Sequence, residues 1–244
     1  MAERKKAPQF TTPKLVLRFP KLDKADYGSK EYPKPDGEYS TKGIMKADDP
    51  ATIAFLKMLN PLYEEAMAWA DEQFKKLKVE TRKKLGKVSQ NPLYSTLYDK
   101  ETEEPTGEIE FKFAMAASGI RNKDTDKEEK WTAKPAIFDA RGQKIVKVPA
   151  IWSGTTAKVS FSVGLNKEGV PGYFIPGTGA AGLKLKLLAV QIINLKSGGE
   201  RSADSYGFGA EEGYAYDPSD DGDTGSQFGD ETGSTEADEE NPDF

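Results

Sequence analysis

Two periodicities divide the chain into elements. Leu15, Leu17 and Phe19 alternate with Val16 and Arg18, which predicts a first short strand that Pro20 ends. Residues 1–13 before it are polar and basic, with Pro8 and Pro13, and read as a flexible arm. Turn residues crowd the stretch from Lys21 to Asp36, and Asp36-Gly37 leads into a second strand over Tyr39 to Lys46. Asp48-Asp49-Pro50 is a helix start, an Asp cap with proline where its missing N–H costs nothing. Ile53, Leu56, Leu59, Tyr63, Ala66, Met67, Ala70, Phe74 and Leu77 then recur at steps of three and four. They predict one long helix over about residues 50–84. Asn60-Pro61 interrupts that helix, as a kink or as a second capped start.

After a loop over Asn91 to Gly107 the period falls to two. Ile109, Phe111, Phe113 and Met115 alternate with Glu108, Glu110, Lys112 and Ala114. A charged hairpin tip, Arg121 to Lys130, precedes a stretch from Trp131 to Asp139 that can pair back. Ile145 to Ile151 is short; Ala157, Val159, Phe161 and Val163 alternate with Lys158, Ser160 and Ser162. A glycine-rich loop, Gly169 to Gly182, leads to the longest strand, Leu183 to Leu195. Strands, one helix, then more strands make an α+β, mainly β fold. An OB-fold, a five-stranded barrel with one long inserted helix, accommodates residues 14–199. A β-sandwich with an inserted helix competes with it.

Charge changes this picture at the C-terminus. From Glu200 to Phe244 there are fifteen acids against Arg201 alone, so residues 1–199 keep 34 basic and 25 acidic side chains. A basic body is joined to an acidic tail that cannot bury enough apolar surface to fold, and residues 200–244 read as disordered. The chain has no Cys and no His, which removes disulfides, Cys- or His-built zinc sites and nucleophile–histidine catalysis. No cofactor is expected. No apolar run approaches the ~20 residues of a membrane span, and Met1 to Lys6 is charged with no apolar run behind it, so a soluble, cytoplasmic protein is expected.

Gly177-Thr178-Gly179-Ala180-Ala181-Gly182 fits a dinucleotide-binding fingerprint, but no helix opens after it. Asp124 and Asp126 lie in the charged hairpin tip and read as a solvated turn rather than a metal site. The lysines say more. If Phe111, Phe113, Val159 and Phe161 fill a barrel, then Lys112, Lys158, Lys184 and Lys186 project outward, joined by Lys42. Lysines on a curved sheet make a track for a phosphate backbone, although they also merely block edge pairing in many sheets. Arg121 belongs with them, and Trp131, Trp152, Tyr173 and Phe174 are candidate platforms for stacking bases. The tail would compete for that track as a tethered polyanion. Asp238, Glu239, Glu240, Asp243 and Phe244 form its tip, an aromatic anchor behind acids that suits a basic, apolar pocket on a partner.

Taken together, the chain resembles the single-stranded DNA-binding proteins of short-tailed, double-stranded DNA bacteriophages. The likeness shows at Asp26-Tyr27-Gly28, Pro35-Asp36-Gly37-Glu38-Tyr39, Phe111-Lys112-Phe113, Lys158 to Val163, the long final strand and Asp243-Phe244. It implies an OB-fold with one inserted helix and coating of single-stranded DNA in replication and recombination in the host cytoplasm. It also implies tail contacts with the replicative DNA polymerase and helicase/primase, dimerisation in some members, and no enzymatic activity. Lys112 and Lys158 match basic positions of the family's binding face; Ala116 and Asp36 depart from it, where an aromatic and a basic residue are expected. The competing expectation is a protein-interaction module or chaperone whose acidic tail binds basic partners.

Overall fold

A computed structural model describes residues 6–122 and 127–197. In chain order the strands and helices are β1 (Gln9–Thr11), β2 (Leu15–Gly28), β3 (Pro33–Lys46), α1 (Pro50–Lys75) and α2 (Val79–Leu85). Short strands β4 (Ser89–Gln90) and β5 (Ser95–Tyr98) precede the long β6 (Pro105–Ala116). Then come β7 (Ser118–Arg121), β8 (Glu129–Thr132), β9 (Ala136–Phe138), β10 (Thr156–Val163), β11 (Tyr173–Ile175), β12 (Ala180–Gly182) and β13 (Leu185–Asn194).

β2, β3, β6, β13 and β10 pair in that order, and β10 returns to β2, so five strands close into a barrel. β3 lies antiparallel to β6 over nine residue pairs, from Glu38–Ala116 to Lys46–Glu108. The closure between β6 and β13 is parallel and has one pair in register, Lys186 opposite Ala114. The OB-type barrel, not the sandwich, is the architecture. Alternation along each strand fills it: Leu17, Phe111, Phe113, Val159, Phe161 and Leu187 are fully buried.

Helix α1 stands between β3 and β6 in the chain and plugs the barrel. Its Phe55 ring meets Phe111 edge-on at 5.5 Å and Phe161 at 5.9 Å. Asp49 caps it, accepting the Ala51 N–H at 2.7 Å. The helix continues through Pro61, which neither ends nor restarts it. The carbonyl that Pro61 leaves without a donor is that of exposed Lys57, where water can serve it. Buried side chains lie on both sides of the proline: Phe55 and Leu59 in the barrel core, Ala66, Met67 and Ala70 in a second core with Val88 and Ala181. At ~1.5–3 kcal/mol for each large apolar side chain, this outweighs the ~3 kcal/mol cost of an interior proline.

The second core joins α1 to a small sheet of β11, β12 and β4. Gly172, at φ +93°, makes that contact: a Cβ there would lie 2.7 Å from the Ala66 Cβ and 2.7 Å from the Gly182 carbonyl oxygen. Gly177 and Gly179 lie in the turn between antiparallel β11 and β12, so the glycine run bends a hairpin and opens no helix.

Several expectations are corrected. The helix expected over 50–84 is two: Lys76 and Leu77 bond back to Gln73 and Phe74 in a tighter last turn, and α2 restarts at Val79. In the first turn Thr52 and Phe55 face inward while Ile53 is exposed. Pro20 does not end the first strand, because register shifts between Arg18 and Lys21 let the β2–β3 ribbon bulge around it and run on to Gly28. Gln9–Thr11, within the stretch read as an arm, pair with β10, and the Phe10 ring packs 5.8 Å from Phe161.

Candidate nucleic-acid interface

The outward face of the barrel wall is set by the same alternation that buries the phenylalanines. Arg18 on β2 faces Lys42 on β3, which faces Lys112 on β6. Two residues beyond Lys112, Ala114 faces Lys186 on β13. A basic row therefore crosses four strands, roughly 14 Å at the usual strand spacing.

A groove of about 530 Å³ lies at the β13 end of this row, lined by Lys112, Lys184, Lys186 and Tyr173 over a floor that includes Ala114 and Leu185. The Lys184 ammonium sits 5.2 Å from the centre of the Tyr173 ring, and the Tyr173 hydroxyl accepts from Asn91 Nδ2 at 2.6 Å. The ring is thus fixed at its rim and cation-covered, a posture that suits a base above it and a phosphate beside it. Among the described residues none of the three lysines has an ion-pair partner.

Glu38, at the groove's lip, is occupied. Lys34 Nζ lies 2.9 Å from Glu38 Oε1 and 2.9 Å from Asp26 Oδ2, which ties the distal end of the β2–β3 ribbon. The bond to Glu38, then that to Asp26, raises the Lys34 ammonium above its ordinary value. The bond from Lys34, then the Gly28 amide, holds the Asp26 carboxyl below its own.

Lys112, Lys184, Lys186 and Tyr173 are therefore brought together, Lys42 adjoins Lys112 across β3 and β6, and the other sequence candidates stand apart from them. Lys42 is engaged: its Nζ lies 2.6 Å from Glu110 Oε1, while Arg18 Nη1 lies 3.2 Å from Glu110 Oε2. Glu110, nearly buried, thus draws two cations of the row onto one carboxylate. Lys158 lines a separate depression of about 780 Å³ with Lys14 and Lys46, near the start of α1. Phe174 points the other way from Tyr173, into the core under α1, and serves packing rather than stacking. Trp131 lies over Gly119 across the β7–β8 pair, so closely that a Cβ on Gly119 would fall 2.7 Å from its ring. Arg121 is exposed at the end of β7, opposite Glu129. Trp152 is 57% exposed and lies toward the β2 edge. Asp124, Asp126 and the tail residues Asp238, Glu239, Glu240, Asp243 and Phe244 lie outside the described residues. Two residues of this face, Arg18 and Glu110, were missed by the sequence reading; only the strand register reveals that they meet.

A protein-family model described as the single-stranded DNA-binding protein of bacteriophage T7 matches residues 16–195. The chain is 30% identical over 194 residues to a single-stranded DNA-binding protein of Enterobacteria phage T3, across 79% of this chain and 78% of that protein. Among solved structures it is similar to gp2.5, a single-stranded DNA-binding protein encoded by bacteriophage T7. The TM-score is 0.57 at 22% identity, over 87% of this chain and all of that one, a likeness of fold.

Proposed function

The chain belongs to the bacteriophage T7 single-stranded DNA-binding protein family, and from that membership we propose that it coats single-stranded DNA without regard to sequence during phage replication and recombination. The observation that carries the site is the convergence of Lys112, Lys184 and Lys186 around the cation-covered Tyr173 ring on the outside of the barrel. Ammonium groups on both sides of the β6–β13 junction take phosphates of one strand, and the ring stacks a base. A duplex, whose bases are stacked on each other, gains only the charge contacts. The function is one of binding, with no bond made or broken.

The acidic stretch over 200–244 competes for the same cations when DNA is absent, its net charge opposite to that of the body. Phe244 with Asp238, Glu239, Glu240 and Asp243 recruits the replicative DNA polymerase and helicase/primase, and two copies pair as a homodimer. The work is done in the host cytoplasm; no helix among the described residues is long and apolar enough to cross a membrane.

Fluorescence anisotropy with single- and double-stranded oligonucleotides, using the full chain and a chain ending at residue 199, tests this reading. Single strands should bind more tightly, Lys112→Ala should weaken all sequences alike, and the salt slope should fall by roughly 0.7. The shortened chain should bind more tightly, and deletion of Phe244 alone should spare DNA while losing the partner proteins. Equal binding by the two chain lengths would end the competition model. Absence of any affinity for single strands would restore the interaction-module alternative.

A further inference from the structure

At the β2 edge of the barrel, away from the groove, an aromatic ring is presented to solvent in an unusual way. Phe19 has φ +49°, in the left-handed region that non-glycine residues avoid. Continued alternation from Leu15 and Leu17 would turn its ring inward; the left-handed backbone turns it outward, where it is 59% exposed. Neighbouring chain fixes this posture. The Phe19 N–H donates to Ser153 Oγ at 2.9 Å. The Leu17 N–H donates to the Thr155 carbonyl at 2.8 Å, and the Gly154 N–H donates back to Leu17 at 2.9 Å. The same loop carries Trp152, whose backbone N–H donates to the Lys196 carbonyl at 2.8 Å. Trp152 borders a depression with Pro20, Lys21 and Lys24, in which Asp23 and Asp26 supply the acids.

The link to the basic row is Arg18. Its guanidinium lies over the Phe19 ring, 4.9 Å from the centroid, while its Nη1 reaches the carboxylate that also holds Lys42. One conformation of Arg18 therefore ties the ring to the row that ends at Lys112 and Lys186. A strained, exposed aromatic beside a cation, at the far end of a track whose near end already has Tyr173, is the pattern of a stacking position. We infer that Phe19 and Trp152 form a second base-stacking platform, so that a single strand crosses the barrel wall from Tyr173, over Lys112 and Lys42, to Phe19.

This rests on the single-strand binding reading, and the test separates the two. Phe19→Ala, Phe19→Trp, Trp152→Phe and Lys112→Ala are made in the full chain and titrated with short and long oligothymidylates across a range of salt. Loss of a stacking partner should weaken the long oligonucleotide by roughly 5- to 150-fold with an unchanged salt slope, whereas loss of a lysine lowers the slope. Phe19→Trp should keep affinity, and Trp152→Phe should remove much of the DNA-induced quenching of intrinsic fluorescence. If Phe19→Ala binds normally while Lys112→Ala is impaired, the platform is wrong and the groove stands. If wild type shows no preference for single strands and neither substitution matters, the binding reading itself falls. A change in oligomeric state with Phe19→Ala at unchanged affinity would assign the ring to a contact between copies and overturn the platform.

Discussion

Replacing Glu110 with glutamine should make the protein less stable and a better ligand for DNA at once. The carboxylate is 6% exposed and accepts from Arg18 at 3.2 Å and Lys42 at 2.6 Å. Its partners keep 37% and 42% of their side-chain surface in water, so each pair contributes about 1 kcal/mol, well short of a fully buried charge-assisted bond. Glutamine keeps the shape and one acceptor, so unfolding free energy should fall by about 1–2 kcal/mol, read by urea titration. The same change removes the one negative charge that draws two cations of the outward row to itself. Each cation released to a phosphate steepens the salt slope by roughly 0.7, so the loss of affinity between about 50 and 200 mM salt grows ~2.6-fold for one and ~7-fold for two. Anisotropy at several salt concentrations measures it. Weaker binding with an unchanged slope would refute the reasoning, because Glu110 would then be holding Arg18 and Lys42 where the phosphates need them.

The Lys34 bridge makes a prediction about pH. A depressed Asp26 contributes stability that is present above its ordinary value of 3.8 and is lost as pH falls through the lower folded value. A raised Lys34 contributes below its ordinary 10.5, and that is lost only as pH rises through the higher folded value. The Tm difference between wild type and Lys34→Met should therefore be level across neutral pH and shrink toward pH 3; a difference still full there would contradict the bridge. Gly172→Ala should cost about 2–4 kcal/mol in urea unfolding, from the left-handed backbone and the clash with Ala66, and a loss under ~0.5 kcal/mol would show that α1 yields easily.

The barrel was legible wherever the period of two was regular. Phe111 and Phe113 against Lys112, and Val159 and Phe161 against Lys158, gave both the interior and the outward lysines. It was illegible where a backbone irregularity overrides the period, as at Phe19 and Pro20, because a bulge is set by the partner strand's register. The same holds for Tyr173 and Phe174: adjacent aromatics take opposite faces, and a three-residue strand has too short a pattern to say which. Lys42 illustrates a different limit. Its neutralisation by Glu110 depends on two residues sixty-eight apart in sequence meeting across β3 and β6. That Pro61 would not restart the helix was illegible because local cost is visible in the chain while the two cores that outweigh it are not.

The lone Lys186–Ala114 register between β6 and β13 has a consequence for how this protein responds to its own load. The wall is least laddered beneath the groove, where Lys112 belongs to one strand and Lys184 and Lys186 lie at the start of the other. A polyanion lying there stitches two strands that the backbone itself barely joins. Ligand that binds only the folded chain raises its stability by RT ln(1 + [L]/Kd), and at the proposed site it would do so where a single residue pair is in register. Amide exchange along Leu185 to Leu187 should then slow on loading more than exchange within β3, making the nucleic acid a sixth stave of the barrel.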